Sequence, residues 1–226
     1  MRYQQVIWDW NGTLIDDVVL CVQIINELLA KYKKPLITLA RYQEVFDFPV
    51  QDYYQRIGFD FAETPFEVIG TEFMQHYWQR WQECSLQTGA REFFAELKDR
   101  AVPQVIVSAA ETRLLRACVD HFQIDHFFAA LHGLDHHYAV SKREVAIEYV
   151  AAAGCAPEEI VFIGDTLHDY DVAHAAGAAC LLVARGHQPK QRLECCGAPV
   201  FDSLRQAREF LTKNNSWPEK CTHTKT

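Results

Sequence analysis

Four short runs, Gln5 to Trp8, Val105 to Val107, Ile160 to Ile163 and Cys180 to Val183, are nearly continuous in β-branched and apolar residues. Strands that read this way are covered on both faces, and helical patterns separate the last three, which predicts a parallel, doubly wound sheet. The helical stretches are Thr112 to Phe122, Lys142 to Ala153 between Ser141 as N-cap and Gly154 as C-cap, Asp169 to Ala176 stopped by Gly177, and Ser203 to about Leu211.

Between the first two runs the pattern breaks. A simple crossover needs a dozen or so residues, whereas this one takes nearly a hundred. Val18, Val19, Ile24, Ile25, Leu28 and Leu29 recur at helical spacing, and Thr64-Pro65 opens a second long helix carrying Phe66, Val68, Ile69, Phe73, Tyr77 and Trp81. Shorter helices fit Leu39 to Phe46 and Gln51 to Ile57. The expected architecture is therefore an α/β Rossmann-like core, residues 1–15 and 88–212, with an inserted α-helical cap at 16–87 and a frayed tail at 213–226.

Charge narrows the partners. With 22 Lys and Arg against 30 Asp and Glu, the net charge of -8 opposes nucleic acid and anionic membranes. No apolar run is long enough for a bilayer span and the first 17 residues lack the apolar stretch of a signal peptide, so a cytoplasmic location is the expectation. Eight scattered cysteines without metal-site spacing read as reduced, mostly buried thiols, and Cys195-Cys196 as a packed or exposed pair rather than a disulfide.

In open parallel sheets the ligand crevice lies beyond the carboxyl ends of the strands. Those ends read Asp9-Trp10-Asn11-Gly12-Thr13, then Ser108-Ala109, then Gly164-Asp165-Thr166-Leu167-His168-Asp169, with Lys142 opening a helix in between. Carboxylates converging with one lysine and one hydroxyl make a place for a divalent cation and an anion together, and Mg²⁺ takes one or two carboxylates, waters and a phosphate oxygen. Each residue has an ordinary alternative: Asp9 and Asp165 as strand-end caps, Asp169, Ser108 and Thr13 as helix or turn caps, Lys142 as a solvated first-turn residue.

These four segments, in this order, resemble the haloacid dehalogenase superfamily, whose motifs are DxDGT, a Ser or Thr, a Lys, and GDxxxD. The helical insert between the first and second motifs is similar to that of the phosphoglycolate phosphatase and β-phosphoglucomutase branch. The resemblance implies a Mg²⁺-dependent phosphatase acting on a small phosphorylated metabolite. Asp9 would be the nucleophile and form an aspartyl phosphate, with Lys142 restraining it and neutralising phosphate charge. Asp9, Asp165, Asp169 and the backbone carbonyl of Asn11 would hold the metal; Asn11, Gly12, Thr13, Ser108, Ala109 and Lys142 would surround the phosphate.

The second acid of DxDGT, which protonates the leaving group in family phosphatases, is Asn11 here, and an amide cannot do that. Slow turnover of alkyl phosphates is the expectation, with Asn11→Asp raising it. Two other readings stay open: a catalytically weak phospholigand-binding protein, and a hydrolase of C–P or C–halogen bonds, for which Lys31, Lys33 and Lys34 are the Schiff-base candidates. His168 is the candidate substitute proton donor; His132, His136 and His137 read as solvated loop residues. The insert's Phe46, Phe48, Tyr53, Tyr54, Phe59 and Phe61 read mainly as its own core, and Arg41, Arg56 and Arg80 as surface residues.

Overall fold

The computed structural model describes residues 3–134, 142–214 and 216–217. Its elements, in chain order, are β1 (Gln5–Trp8), β2 (Ile15–Asp16), α1 (Val18–Lys31), α2 (Leu39–Val45), α3 (Val50–Arg56), α4 (Phe66–Arg80), β3 (Ser85–Leu86), α5 (Ala90–Asp99), β4 (Gln104–Glu111) and α6 (Thr112–His121). There follow β5 (Ala130–Leu134), α7 (Lys142–Ala152), β6 (Ile160–Gly164), α8 (Leu167–Ala176), β7 (Ala179–Val183), α9 (Lys190–Leu193), β8 (Val200–Phe201) and α10 (Leu204–Lys213).

Six parallel strands form one sheet in the order β5-β4-β1-β6-β7-β8. The four apolar runs are its inner strands. Their side chains alternate between two buried clusters: Val6 and Trp8 enter one, Ile7, Val105, Val107 and Phe162 the other. Trp8 packs edge-on against Phe93 and Phe94 of α5, and its indole N–H donates to Gln104 Oε1 at 3.1 Å. Two further strands, β5 and β8, escape the apolar pattern because they lie at the edges and are only part-buried. His132, expected in a loop, is therefore on β5, with its ring beside Tyr149. His136, His137 and Ser141, and residues 218–226 of the tail, lie outside the described residues.

The insert leaves and re-enters through a two-residue antiparallel ladder, Ile15 against Leu86 and Asp16 against Ser85. Next to it Gln87 N–H donates to Leu14 O, and the Gln87 side chain donates to Gly12 O. Between those strands α1 and α4 pack on each other through an apolar stripe that includes Ile24, Leu28, Ile69 and Tyr77, with α2 and α3 in the connection. Among the described residues no helix is long and apolar enough to cross a membrane. Of the seven described cysteines, all free, only Cys21 and Cys118 are buried, fewer than expected.

Candidate active site

The strand order reverses at β1, whose neighbours are β4 and β6, so the carboxyl ends of these three strands border one crevice. Asp9, one residue beyond β1, stays tied to the sheet through its N–H to Ile163 O at 2.9 Å. Its carboxylate is buried and meets Lys142 Nζ at Oδ1. Lys142, at the start of α7, is also buried and gives a second bond to Asp169 Oδ1 at 2.5 Å. Burial alone would push the ammonium down; Asp169 and Asp9 outweigh it and hold Lys142 above its ordinary value.

Asp169 does two jobs at once. Thr166 caps α8, and Asp169 Oδ2 accepts from the Thr166 hydroxyl at 2.7 Å, the Thr166 N–H at 2.9 Å and the Asp165 N–H at 3.1 Å. That capping box fixes the carboxylate whose other oxygen holds Lys142. Burial would raise Asp169, but Lys142 and Thr166 keep it below the usual carboxylate range.

Asp165 sits in a glycine-lined cradle. A Cβ on Gly186 or Gly12 would strike its carboxylate, and Gly12 also needs φ of +73°, so both positions require the smallest residue. Asp165 Oδ2 accepts from the His187 N–H at 2.6 Å. The Thr13 hydroxyl lies 3.1 Å from Asp9 Oδ2 and 2.9 Å from Asp165 Oδ1, and it has one proton to give. Only one of those facing carboxylate oxygens can therefore take the Thr13 proton at a time.

This donor set fits a divalent cation. One oxygen from each of Asp9, Asp165 and Asp169 falls within 4.8 Å of the others. Three buried carboxylates against the single ammonium of Lys142 leave two negative charges in excess. Burial, opposed by the nearby charge of His187 and reinforced by Asp9 and Asp169, pushes Asp165 well above the ordinary value; burial, only partly opposed by Lys142, brings Asp9 up to about 6. A hard cation with oxygen ligands relieves that arrangement.

The residues expected around the phosphate divide. Asp9, Asn11, Ser108, Ala109, Lys142, Asp165 and Asp169 border one cavity of about 680 Å³. Ser108 is buried, its Oγ accepting from the Ala110 N–H at 3.0 Å, which leaves its proton for a ligand. Gly12 is committed elsewhere: its N–H donates to Asp17 Oδ1 at 2.9 Å, and Thr13 is taken up by the two carboxylates.

Asp17, Tyr77, Tyr42 and His187 escaped the sequence reading. Asp17 is fully buried; its Oδ2 accepts from Asn11 Nδ2 at 2.7 Å and from Tyr77 OH at 2.8 Å, and its Oδ1 lies 3.5 Å from His187 Nε2. Burial would raise Asp17, but His187, Asn11 and Tyr77 hold it low. Burial would lower His187, yet Asp17 raises it to about 9; its Nδ1 pairs with Tyr42 OH at 2.8 Å. The Asp16-Asp17 doublet after the first motif was the available signal. Nothing local marks His187, which is brought in from 170 residues away.

His168 borders the cavity, its ring stacked on Phe48 at 4.4 Å and its Nδ1 buried without a partner among the described residues. Phe46, Phe48, Tyr53 and Tyr54, expected in the insert's own core, border the cavity as well. Arg41, Arg56 and Arg80 pair with Glu44, Asp47, and Glu27 with Glu83, as expected of surface residues. Lys31 and Lys34 pair with Glu72 and Glu63. No insert lysine borders the cavity, so none of the Schiff-base candidates Lys31, Lys33 and Lys34 lies at the acidic centre.

Comparison with known proteins agrees with this geometry. A 5'-nucleotidase of Pseudomonas aeruginosa is 26% identical over 200 residues, 85% of this chain and 88% of that protein. A phosphoglycolate phosphatase of Pseudomonas savastanoi pv. phaseolicola is 24% identical, over 89% of this chain and 77% of its own length. In fold, the chain superimposes on a predicted phosphatase from Clostridium acetobutylicum with a TM-score of 0.79, at 19% identity, over 94% of this chain and all of the other. The sequence model of the family described as haloacid dehalogenase-like hydrolase matches residues 6–183. With the four motif segments gathered around one acidic centre and that match spanning most of the sequence, the chain belongs to the haloacid dehalogenase-like hydrolase family.

Proposed function

We propose that this haloacid dehalogenase-like phosphatase hydrolyses phosphomonoesters of small metabolites through a phosphoryl group carried on Asp9, with Mg²⁺ as cofactor. The observation that carries this reading is the Asp9 carboxylate itself: buried, gripped at Oδ1 by Lys142 and presented at the floor of a cavity next to Asp165 and Asp169. Lys142 and Thr13 fix its orientation, so attack on phosphorus starts from a held geometry. An Asp9 oxygen bonds to phosphorus as the ester P–O bond breaks, and the departing alkoxide takes its proton from water. A second water attacks the same phosphorus, the Asp9–phosphorus bond breaks, and phosphate leaves with the carboxylate restored.

Ser108 and Lys142 are placed to donate to the phosphoryl oxygens. Asp9, Asp165, Asp169 and the Asn11 carbonyl would hold Mg²⁺, which when bound neutralises charge on the phosphoryl oxygens. The helical insert serves as the cap over this floor. Supporting that role, Gln43 Nε2 donates to Gly186 O at 2.9 Å, Gln188 Nε2 to Phe46 O at 3.1 Å, and Arg192 pairs with Asp47 at 2.6 Å across the boundary.

The test is an acid quench of enzyme mixed with a phosphate-labelled substrate. Wild type retains label on the protein and releases phosphate only with Mg²⁺, whereas Asp9→Asn does neither; phosphate release by Asp9→Asn at the wild-type rate rejects the assignment. A phospholigand binder with little turnover is the second reading, favoured by the commitment of Asn11 to Asp17 and Tyr77. In that case wild type is stabilised by phosphate esters that it does not consume.

A further inference from the structure

The cavity has two unlike halves. Its floor is the acidic centre with Lys142 and Ser108; its walls, from the insert, are Phe48, Val50, Tyr54, Phe66, Phe73 and Met74, completed on the core side by Leu114. The rings of these walls pack on one another, Tyr54 against Phe66 at 5.6 Å and Phe48 against His168 at 4.4 Å. A volume of about 680 Å³ is in the range that holds an organic group of many atoms rather than a two-carbon acid.

Charge excludes a second anion on the substrate. Among the described residues bordering the cavity, Lys142 is the sole lysine or arginine, and Asp9 and Asp169 both occupy it. His187 is spent on Asp17. The three insert arginines point their charge at surface carboxylates. Among the described residues bordering the cavity, a carboxylate or second phosphate on the substrate would find no free lysine or arginine and would face Asp17 and Glu111 instead. A polyhydroxylated group fares little better: Tyr42 and Tyr77, which also border the cavity, have hydroxyls already bonded to His187 and Asp17, and the unpartnered polar groups left among the described lining residues are few, among them the Tyr53 hydroxyl, His168 Nδ1 and the Gln51 amide. Desolvating sugar hydroxyls against phenyl rings and Met74 leaves most of them unpaired.

We infer that the alcohol half of the substrate is bulky, uncharged and largely apolar, an aryl-bearing or branched hydrocarbon group esterified to phosphate. The inference rests on the phosphatase reading for its chemistry but concerns the cavity walls alone. Stacking and apolar burial on the walls hold the organic group while the phosphoryl group rests on the floor.

The test compares four primary phosphate monoesters, so that leaving-group chemistry is similar: 2-(1-naphthyl)ethyl phosphate, glycerol 3-phosphate, phosphoglycolate and adenosine 5'-monophosphate. Wild type with Mg²⁺ is expected to show kcat/KM for the naphthylethyl ester at least about ten-fold above each of the others, since even one methylene in an apolar pocket is worth roughly that much. Met74→Gln, close in shape but polar, should raise KM for the naphthylethyl ester and shrink the preference while kcat changes less. Equal or better use of phosphoglycolate, glycerol 3-phosphate or the nucleotide overturns the inference and leaves the phosphatase reading standing. If no ester releases phosphate, that reading fails, and binding of non-hydrolysable phosphonates decides the inference separately. Calorimetric binding of 2-(1-naphthyl)ethylphosphonate at least about ten-fold tighter than phosphonoacetate sustains it, and equal or weaker binding rejects it.

Discussion

Asn11 donates its side-chain amide to Asp17 Oδ2 at 2.7 Å, so the motif position that lacks a carboxylate lies directly against a buried carboxylate that the motif does not include. Tyr77 OH reaches both partners, at 2.9 Å and 2.8 Å, and Gly12 N–H and His187 complete the ring around Asp17. His187 balances the charge of Asp17, and the Asn11 amide adds a neutral donor where a carboxylate would repel.

That contact reverses the gain expected of Asn11→Asp from sequence alone. A second carboxylate would face the first at hydrogen-bond distance in a buried site, and one of them would have to take up a proton. Asn11→Asp is expected to lose on the order of 3 kcal/mol of stability and to lower turnover rather than raise it. Urea unfolding and phosphate release measure both. The double variant Asn11→Asp with Asp17→Asn restores one amide and one carboxylate and should recover more than half of the lost stability; if it recovers none, the Asn11–Asp17 bond is not the constraint.

Lys142 is held between two buried carboxylates at the cavity floor. Lys142→Met keeps the length of the side chain but leaves Asp9 and Asp169 without their cation. The expected cost is about 3 to 5 kcal/mol of stability and at least about 10²-fold in kcat. Wild-type urea midpoint in that variant would mean that the two carboxylates are already neutral or solvated.

The inner strands and the four motif segments at the cavity were legible because each depends on local pattern. β1, β4, β6 and β7 read as apolar runs, and the residues beyond β1 and β6 take their place at the crevice, as do Ser108 and Ala109, which lie within β4 because that strand runs on past Val107 to Glu111. β5 carries His132 and Gly133 and runs at an edge, while β2, β3 and β8 are two residues each, too short to show a period. Phe46, Phe48, Tyr53 and Tyr54 read as the insert's own core, and their second role at the cavity was hidden because an aromatic residue facing its own domain and one facing a cavity have the same helical spacing. Which carboxylate accompanies Asn11 depends on α1 and α4 meeting over the floor, a tertiary fact without a local signature.

Asp9 sets an acid limb that magnesium should move. Burial brings its folded value up to about 6, against roughly 3.9 for an unfolded aspartate. Over about pH 4 to 6 the folded chain therefore keeps a proton that the unfolded chain has lost. The contribution of this group to stability is complete below about pH 4 and is lost as pH rises through about 6. Mg²⁺ competes with that proton, so its stabilising effect should be small near pH 4.5 and reach about 2 to 3 kcal/mol near pH 7 at a hundredfold excess over its dissociation constant. Thermal unfolding with and without MgCl₂ at the two pH values checks this; equal shifts at both would take Asp9 out of the ligand set.

Tyr53 carries a buried hydroxyl with no partner among the described residues, on the wall of the cavity. An unsatisfied buried donor costs about 1 to 3 kcal/mol, so Tyr53→Phe should stabilise the ligand-free chain by about 1 kcal/mol, read as a higher Tm. A fall in Tm instead would show that the hydroxyl is hydrated or bonded in solution.

Among the contacts that fasten the insert to the core, one arginine makes three. Arg192, in α9, gives Nη2 to Asp47 Oδ2 at 2.6 Å and Nη1 to Phe46 O at 2.7 Å and to Glu44 O at 3.2 Å, while the Phe46 ring rests 4.8 Å from that of His187. Both side chains of the ion pair are about three-quarters covered, which limits screening, and Arg56 supplies a second, longer contact to the same Asp47 carboxylate at 3.3 Å. Arg192→Ala removes a charge pair and two backbone bonds from the closed arrangement without touching the acidic floor. A loss of about 1 kcal/mol in docking corresponds to about a five-fold rise in the open population, so KM should rise by a similar factor while kcat changes less. Backbone amides in residues 42–57 should exchange faster to the same degree, whereas those of β1 and β6 should keep their protection. A double-mutant cycle with Asp47→Asn separates the ion pair from the backbone bonds: a coupling that shrinks in high salt assigns the latch to charge, and a salt-independent one assigns it to the carbonyls of Glu44 and Phe46. If Arg192→Ala leaves both KM and exchange at wild-type values, the insert is held closed by its aromatic contacts and the arginine is not the latch.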